Sequence, residues 1–323
     1  MWGLEKAGHD ARAFSVLESD VPEDADVVVG QLLYDEARQG PWQALSERSG
    51  RRPVLIAEID DDLWNVHRTN TDALSLTRPE VLARLERGLR IADAVTVTTQ
   101  HLAEVVSRFN ANVFVLPNCI DLNLITYQRT KAERLTIGWA GGSSHLNDFA
   151  SMRSNLRQFL RRHPEVDMHF VGQDYRELFK LPNTRWTGWN ANLVDYLHTL
   201  DFDIGVAPLA YNEFNKSKSD IKVLEYASLG IPVVASAFGP YADSVVHGET
   251  GFVVKHSHEW STYLRVLVED HQLREAMSIT AKLWASNRTI QGNAWRWELA
   301  YRTVIDQVHG SQRLTATVPA AVC

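Results

Sequence analysis

Short β-branched runs alternate with helical stretches along almost the whole chain, and that alternation limits the folds open to it. Val27–Val29, Pro53–Ile59, Ala94–Thr98 and Val113–Leu116 form a first series of strand candidates. Leu135–Ala140, Met168–Gly172, Asp203–Ala207, Pro232–Ser236 and Gly251–Val254 form a second. Between them lie helix patterns. Met152, Leu156, Phe159 and Leu160 fall on one helical face, and Pro79 opens another helix where its missing N–H costs nothing. Strands alternating with helices read as βαβ units and a parallel sheet, so the fold class is α/β. The polar stretch from about Asp121 to Glu133 separates the two series, and 323 residues suit two domains. The expected division is residues 1–125 and 134–292, then a helical segment at 293–308 and a loose tail at 310–323. Trp295, Leu299 and Val304 are spaced as the packing face of that last helix.

With 33 basic and 40 acidic residues the net charge is −7, which argues against a nucleic-acid or anionic-membrane binder. Two cysteines, Cys119 and Cys323, suggest no disulfide framework and a reducing compartment. No apolar window approaches a membrane span and no secretion signal is visible, so a cytoplasmic location is expected. The opening residues read as a helix ended by Gly8 and followed by a strand. A nucleotide-type α/β domain usually puts a strand and a glycine-rich turn before that helix. Either the recorded start lies downstream of the true one, or the first domain is pared down and lacks its opening strand.

In an acidic chain, "NKSKSDIKVLEYASLGIPVVAS" from Asn215 to Ser236 is unusual: Lys216, Lys218 and Lys222 crowd together ahead of an apolar helix that carries Glu225. Ser219 or Asp220 is placed to cap this helix and Gly230 to end it, while Val223, Leu224, Ala227 and Leu229 supply its buried surface. A carboxylate inside such a helix is costly unless something hydrogen-bonds to it, and ribose hydroxyls would use both oxygens. The lysines and the helix amino terminus suit phosphate oxygens. A sugar joined through a diphosphate presents both features. The alternative is that Glu225 caps backbone amides and the lysines solvate a loop. A second anion candidate is "TIGWAGGSSHLND", in which a strand runs into Gly141 and Gly142 and then into a helix.

"GWAGGSSHLND", "PNCID" at Pro117–Asp121, "KVLEYASLGIPVVAS" and "GPYADSVVHGETGFVV" together resemble a family 4 glycosyltransferase of the GT-B type over roughly residues 94 to 254. That resemblance implies two Rossmann-like parallel-sheet domains facing a cleft, the first on the acceptor side and the second holding a nucleotide-sugar donor. It implies a retaining, metal-independent transfer with no cofactor beyond the donor, and a terminal helix that packs back on the first domain. Residue by residue, Glu225 matches the second glutamate of the family's E-x7-E motif, which binds the donor ribose. Gly141, Gly142, Ser143 and His145 fall in the turn beneath the diphosphate, and Gly188 and Trp189 where a loop contacts the base. The first glutamate of E-x7-E is Ser217 here, and the family's usual arginine and lysine are absent. Lys216 and Lys218 are expected to replace those cations as the nucleoside diphosphate leaves.

"EIDDDLW" places Asp60, Asp61 and Asp62 after an apolar strand. Asp60-x-Asp62 is formally the metal-holding DxD of the GT-A class, whose hard oxygen ligands suit Mg²⁺ or Mn²⁺. In the GT-B reading no metal is held, and Asp62, with His67 nearby, orients an acceptor hydroxyl or the donor sugar. Asp243 matches a position near the donor, or caps a turn. Cys119 has no base beside it and reads as structural. The expectation is a transferase that moves a sugar from a nucleoside diphosphate to a glycan, lipid, protein or small-molecule acceptor. The rivals are a non-catalytic sugar-nucleotide or glycan-binding relative, a GT-A-like metal enzyme, and a transferase acting on DNA. The acidic balance argues against the last.

Overall fold

Among the described residues ten strands form two sheets, and every pairing is parallel. The structure is a computed structural model that describes residues 2–13 and 21–310. Residues 311–323 of the expected tail, with Cys323, lie outside the described residues, as does part of the strand expected after Gly8. The chain divides into two units. The first takes the residues up to Asp60, Arg78–Leu116 and Ala294 onward, and the second takes Asp61–Thr77 and Pro117–Asn293.

In the first unit β1 (Val27–Gly30), β2 (Val54–Ile59), β3 (Ala94–Val97) and β4 (Val113–Val115) lie in that order. Trp42, on the helix Glu36–Ser46, is fully buried and donates its indole N–H to the Gly88 carbonyl at 3.1 Å. The helix Ile290–His309 brings Val304 against Val54, Ile56 and Ala94, flanked by Tyr301, Ile305 and Val308. This corrects the packing face read from sequence, because Trp295 and Leu299 are 56% and 58% exposed. At about 100° per residue, Val304 lies half a circumference from Trp295, so the two cannot share a face. The stripe that packs is 300, 301, 304, 305 and 308.

The second unit's sheet comprises β5 (Thr136–Gly141), β6 (Asp167–Gly172), β7 (Thr184–Thr187), β8 (Ile204–Ala207), β9 (Val233–Ser236) and β10 (Gly251–Val254). All but β7 fall on runs picked out in the sequence. Side chains alternate between its two faces, as a pleated strand requires. Ile137, Trp139, Met168, Phe170, Ile204, Val206 and Val234 enter one buried cluster, with Met152, Leu156, Phe159 and Leu160 of the expected helical stripe. Ala140, Val171, Ala207, Val233 and Ala235 enter the other, with Val223, Leu224, Ala227 and Leu229.

The strand order is β10-β9-β8-β5-β6-β7, so the chain leaves β5 in one direction and returns on its other side at β8. Connections that depart in opposite directions leave a crevice beyond the carboxyl ends of the two strands. β5 and β8 pair only at Ile137 with Ile204 and Gly138 with Gly205. Those glycines admit two rings: a Cβ on Gly138 would stand 2.0 Å from Phe202, and one on Gly205 2.5 Å from Tyr226. No helix among the described residues is long and apolar enough to cross a membrane.

The corrected face of the terminal helix has a measurable consequence. Val304→Ala is expected to lower the unfolding free energy by about 2 kcal/mol in urea titrations, whereas Leu299→Ala stays within about 0.5 kcal/mol. Equal effects would contradict the packing described.

Candidate active site

Past Gly138 the peptide of Ala140 has no partner on β8, and the helix Ile221–Ser228 satisfies it from the side. The Tyr226 hydroxyl accepts from the Ala140 N–H at 2.9 Å, and the Lys222 ammonium donates to the Ala140 carbonyl. Both side chains are buried, and Lys222 also lies 4.9 Å over the Trp139 ring. Gly141 ends the strand because nothing larger fits. A Cβ there would meet the Lys222 ammonium and the Trp139 ring, each at 2.8 Å. Gly172, opposite on β6, has φ +90°, and a Cβ on it would lie 2.4 Å from the Gly141 carbonyl oxygen. Gly142 by contrast has nothing within 4 Å, so the turn is open at that residue.

Glu225 lies one turn beyond Lys222 on the same helix and is half-buried. Burial pushes its carboxyl up to about 7, with Lys222 opposing. Burial pushes the Lys222 ammonium down to about 8, with Glu225 opposing and Lys218 adding to the shift. The Tyr196 phenol is raised by burial and by the Glu225 charge. The Trp189 ring lies 4.7 Å from that of Tyr196, tilted by 38°, and is 62% exposed; Gly188 precedes it. Gly230 ends the helix at φ +66°, as expected. Asp220 holds the N-cap position but makes no side-chain cap. Its carboxylate takes Arg288 at 3.0 and 3.1 Å and the Ser244 hydroxyl at 2.6 Å, partners far along the chain.

Asp148 ties the turn after β5 to the segment after β8. Its Oδ2 meets His145 Nδ1 at 2.7 Å, and its Oδ1 accepts from the Asn215 amide at 2.7 Å and the Ala210 N–H at 2.9 Å. Burial lowers the His145 pKa, with the bond to Asp148 opposing, so the neutral ring is favoured. An Nδ1–H donated to Asp148 leaves Nε2 as an acceptor.

The segment Asp61–Thr77 contributes three carboxylates. Asp61 pairs with the Lys218 ammonium at 3.4 Å, and Lys218 also lies 4.4 Å over the Phe214 ring. Asp62 is fully buried and accepts from the Ser217 hydroxyl at 3.2 Å and the Asn65 amide at 2.8 Å. Asp72 accepts from the Ser143 hydroxyl.

The structure therefore gathers Gly141, Gly142, Ser143, His145, Ser217, Lys218, Glu225 and Asp62 at the β5–β8 switch. It does not bring Lys216 there. That side chain is 47% exposed and its ammonium lies 3.9 Å from Glu213. His67 bonds its neighbour Thr69 at 2.8 Å, Asp243 is exposed on the helix Pro240–Ser244, and Cys119 donates to the Pro117 carbonyl. Among the described residues no group of three His, Cys, Asp or Glu is placed to hold a metal ion. Tyr226, Asp148 and Asp72 escaped the sequence reading, and Lys222 entered it only as one of three clustered lysines, not as a buried partner of Ala140. Lys222 carried a usable signal, since a lysine three residues before Glu225 shares its helical face.

The Glu225 shift gives stability one contribution whose pH dependence has a definite sign. A carboxyl raised on folding contributes stability that is full below its usual value of 4.5 and is lost as pH rises through about 7. Urea midpoints of the wild type should fall across that window, and Glu225→Gln should remove that part of the slope. Identical slopes in the two proteins would refute the assignment.

Residues 135–270 match the family model described as glycosyl transferases group 1. The chain is 26% identical over 197 residues to the putative teichuronic acid biosynthesis glycosyltransferase TuaH of Bacillus subtilis (strain 168), covering 54% of this chain and 48% of that protein. It thus spans about half the length of the curated relative it matches. Sucrose-phosphate synthase from Thermosynechococcus elongatus superposes with a TM-score of 0.60 at 14% identity, over 87% of this chain and 74% of that one. Anabaena HepE, solved with UDP-glucose, superposes with a TM-score of 0.60 at 18% identity, over 88% and 78%. The two parallel-sheet units and these matches bear out the GT-B fold and the resemblance to family 4 glycosyltransferases that the motifs carried.

Proposed function

We propose that the chain is a glycosyltransferase that takes a sugar from a nucleoside diphosphate and passes it to an acceptor. The observation that carries this reading is the pairing of Lys222 and Glu225 on one helical face beside the open turn at Gly142. A buried ammonium and the backbone of that turn offer positive charge to a diphosphate. One turn away, a half-buried carboxylate offers two acceptor oxygens to a ribose. Trp189, tilted against Tyr196, whose phenol feels the Glu225 charge, supplies an exposed ring for a base.

Lys218, held by Asp61, adds a second cation for the charge that grows on the leaving diphosphate. With Lys222 it fills the role a divalent ion takes in DxD enzymes, so the transfer is metal-independent in this reading. The anomeric configuration is retained by front-face departure. The leaving diphosphate oxygen takes the acceptor proton while the acceptor oxygen bonds to the anomeric carbon, and no protein nucleophile is required. Ser217, where the family has a glutamate, is compatible with that route. Similarity to a protein named for teichuronic acid biosynthesis favours a glycan as the acceptor.

A thermal-shift screen with UDP-, GDP- and ADP-glucose tests the core of this reading. One base is expected to raise the melting temperature by several degrees at a large excess over its dissociation constant. Lys222→Met should weaken both that diphosphate and inorganic pyrophosphate about tenfold, whereas Glu225→Gln should weaken only the nucleotide. Turnover should survive EDTA. No stabilisation by any of the three donors would overturn the proposal.

A further inference from the structure

Asp62 is fully buried, yet only one of its carboxylate oxygens is engaged. Oδ2 accepts from Ser217 and Asn65, and Oδ1 has no partner. A buried carboxylate oxygen without a donor is costly, and native structures rarely leave one so. Lys218, the residue after Ser217, pairs with Asp61 at 3.4 Å. The unpaired oxygen is left to accept from a neutral donor, which is the chemistry of a sugar hydroxyl.

Its position agrees. Asp62 rests on Ser217, which lies at the end of the helix Glu213–Ser217, eight residues before Glu225. Glu225 interacts with Lys222 and Lys222 with Lys218, which directly follows Ser217, so Asp62 sits at the Lys218 end of the proposed donor-binding groups. We propose that Asp62 is the carboxylate that reads the donor sugar. It comes from the segment after β2, while Ser217, on the helix before Lys218, holds it in place through Oγ. This inference rests on the proposed glycosyl transfer and adds the residue that distinguishes a nucleotide sugar from its parent diphosphate.

The test compares dissociation constants, by calorimetry, for UDP, GDP and ADP with those for UDP-, GDP- and ADP-glucose and UDP-N-acetylglucosamine. Asp62→Asn keeps the side-chain volume and removes the charge. It is expected to hold the parent diphosphate within about twofold of wild type and to weaken the nucleotide sugar about tenfold. The exchange Asp62→Ser with Ser217→Glu, which returns the carboxylate to the helix, is expected to recover part of the sugar-dependent affinity. It also serves if Asp62→Asn fails to fold by circular dichroism. Equal weakening of diphosphate and nucleotide sugar, or no weakening of either, overturns the assignment and leaves the proposed transfer standing. So does a wild type that binds a diphosphate but gains nothing from any attached sugar. A wild type that binds no nucleotide removes both.

Discussion

The peptide of Ala140 is the point on which the second unit's chemistry depends. A parallel strand that loses its neighbour partway must find other partners for its N–H and C=O, or bury them unpaired at a cost of about 1–3 kcal/mol each. β5 loses β8 after Gly138, and one helix supplies both partners through Tyr226 and Lys222. Those two bonds fix the rotation and height of the helix against the strand end. With it they fix Glu225, one turn further along the same helix. The glycines at 138, 141, 172 and 205 follow from the same closeness, since each faces a ring, an ammonium or a carbonyl where a methyl group would stand.

The electrostatics are a consequence of that geometry. Lys222 is buried because it must reach Ala140, so its ammonium loses water and its affinity for a proton falls. Glu225, drawn in by the same helix, moves the opposite way for the same reason. Each charge restrains the shift of the other without cancelling it. Removing one partner of such a pair costs more than the pair contributes, because the survivor stays buried and uncompensated. An anion beside Lys222 and hydroxyls on Glu225 would restore the solvation that folding removed, so the unbound site stores the affinity that a ligand would draw upon. The large apolar clusters on both faces of the sheet supply the stability that makes this arrangement tolerable.

Much of this was legible in the sequence where the signal was local. Nine strands, the helical stripe from Met152 to Leu160 and the left-handed end at Gly230 each declare themselves within a dozen residues. β7 did not, because "TRWT" is short, carries an arginine and lies at a sheet edge where only one neighbour rewards apolar residues. Asp220 looked like a cap because caps are read from neighbours, and its real partners, Arg288 and Ser244, lie 68 and 24 residues away. Lys222 was visible as a lysine but not as a buried one, since burial depends on where β8 parts from β5. Trp295 and Leu299 are large and apolar but stand on the far side of the helix from Val304, so residue type without helical angle indicates the wrong face.

The acidic triplet shows the limit most clearly. Its composition announced carboxylates at the end of a strand, and a metal site was the reading that local spacing offered. Asp61 and Asp62 instead answer neighbouring residues of the second unit, Lys218 and Ser217, and Asp72, further along the same segment, answers Ser143. Those partners are 157, 155 and 71 residues away, distances at which spacing carries no information. Because the three contacts share one short segment, a change at one alters the setting of the others, and their effects on donor binding should not add. A segment constrained at three points against the same site holds Asp62 where it is. That is what a carboxylate needs if it is to discriminate one hydroxyl pattern from another rather than merely attract positive charge.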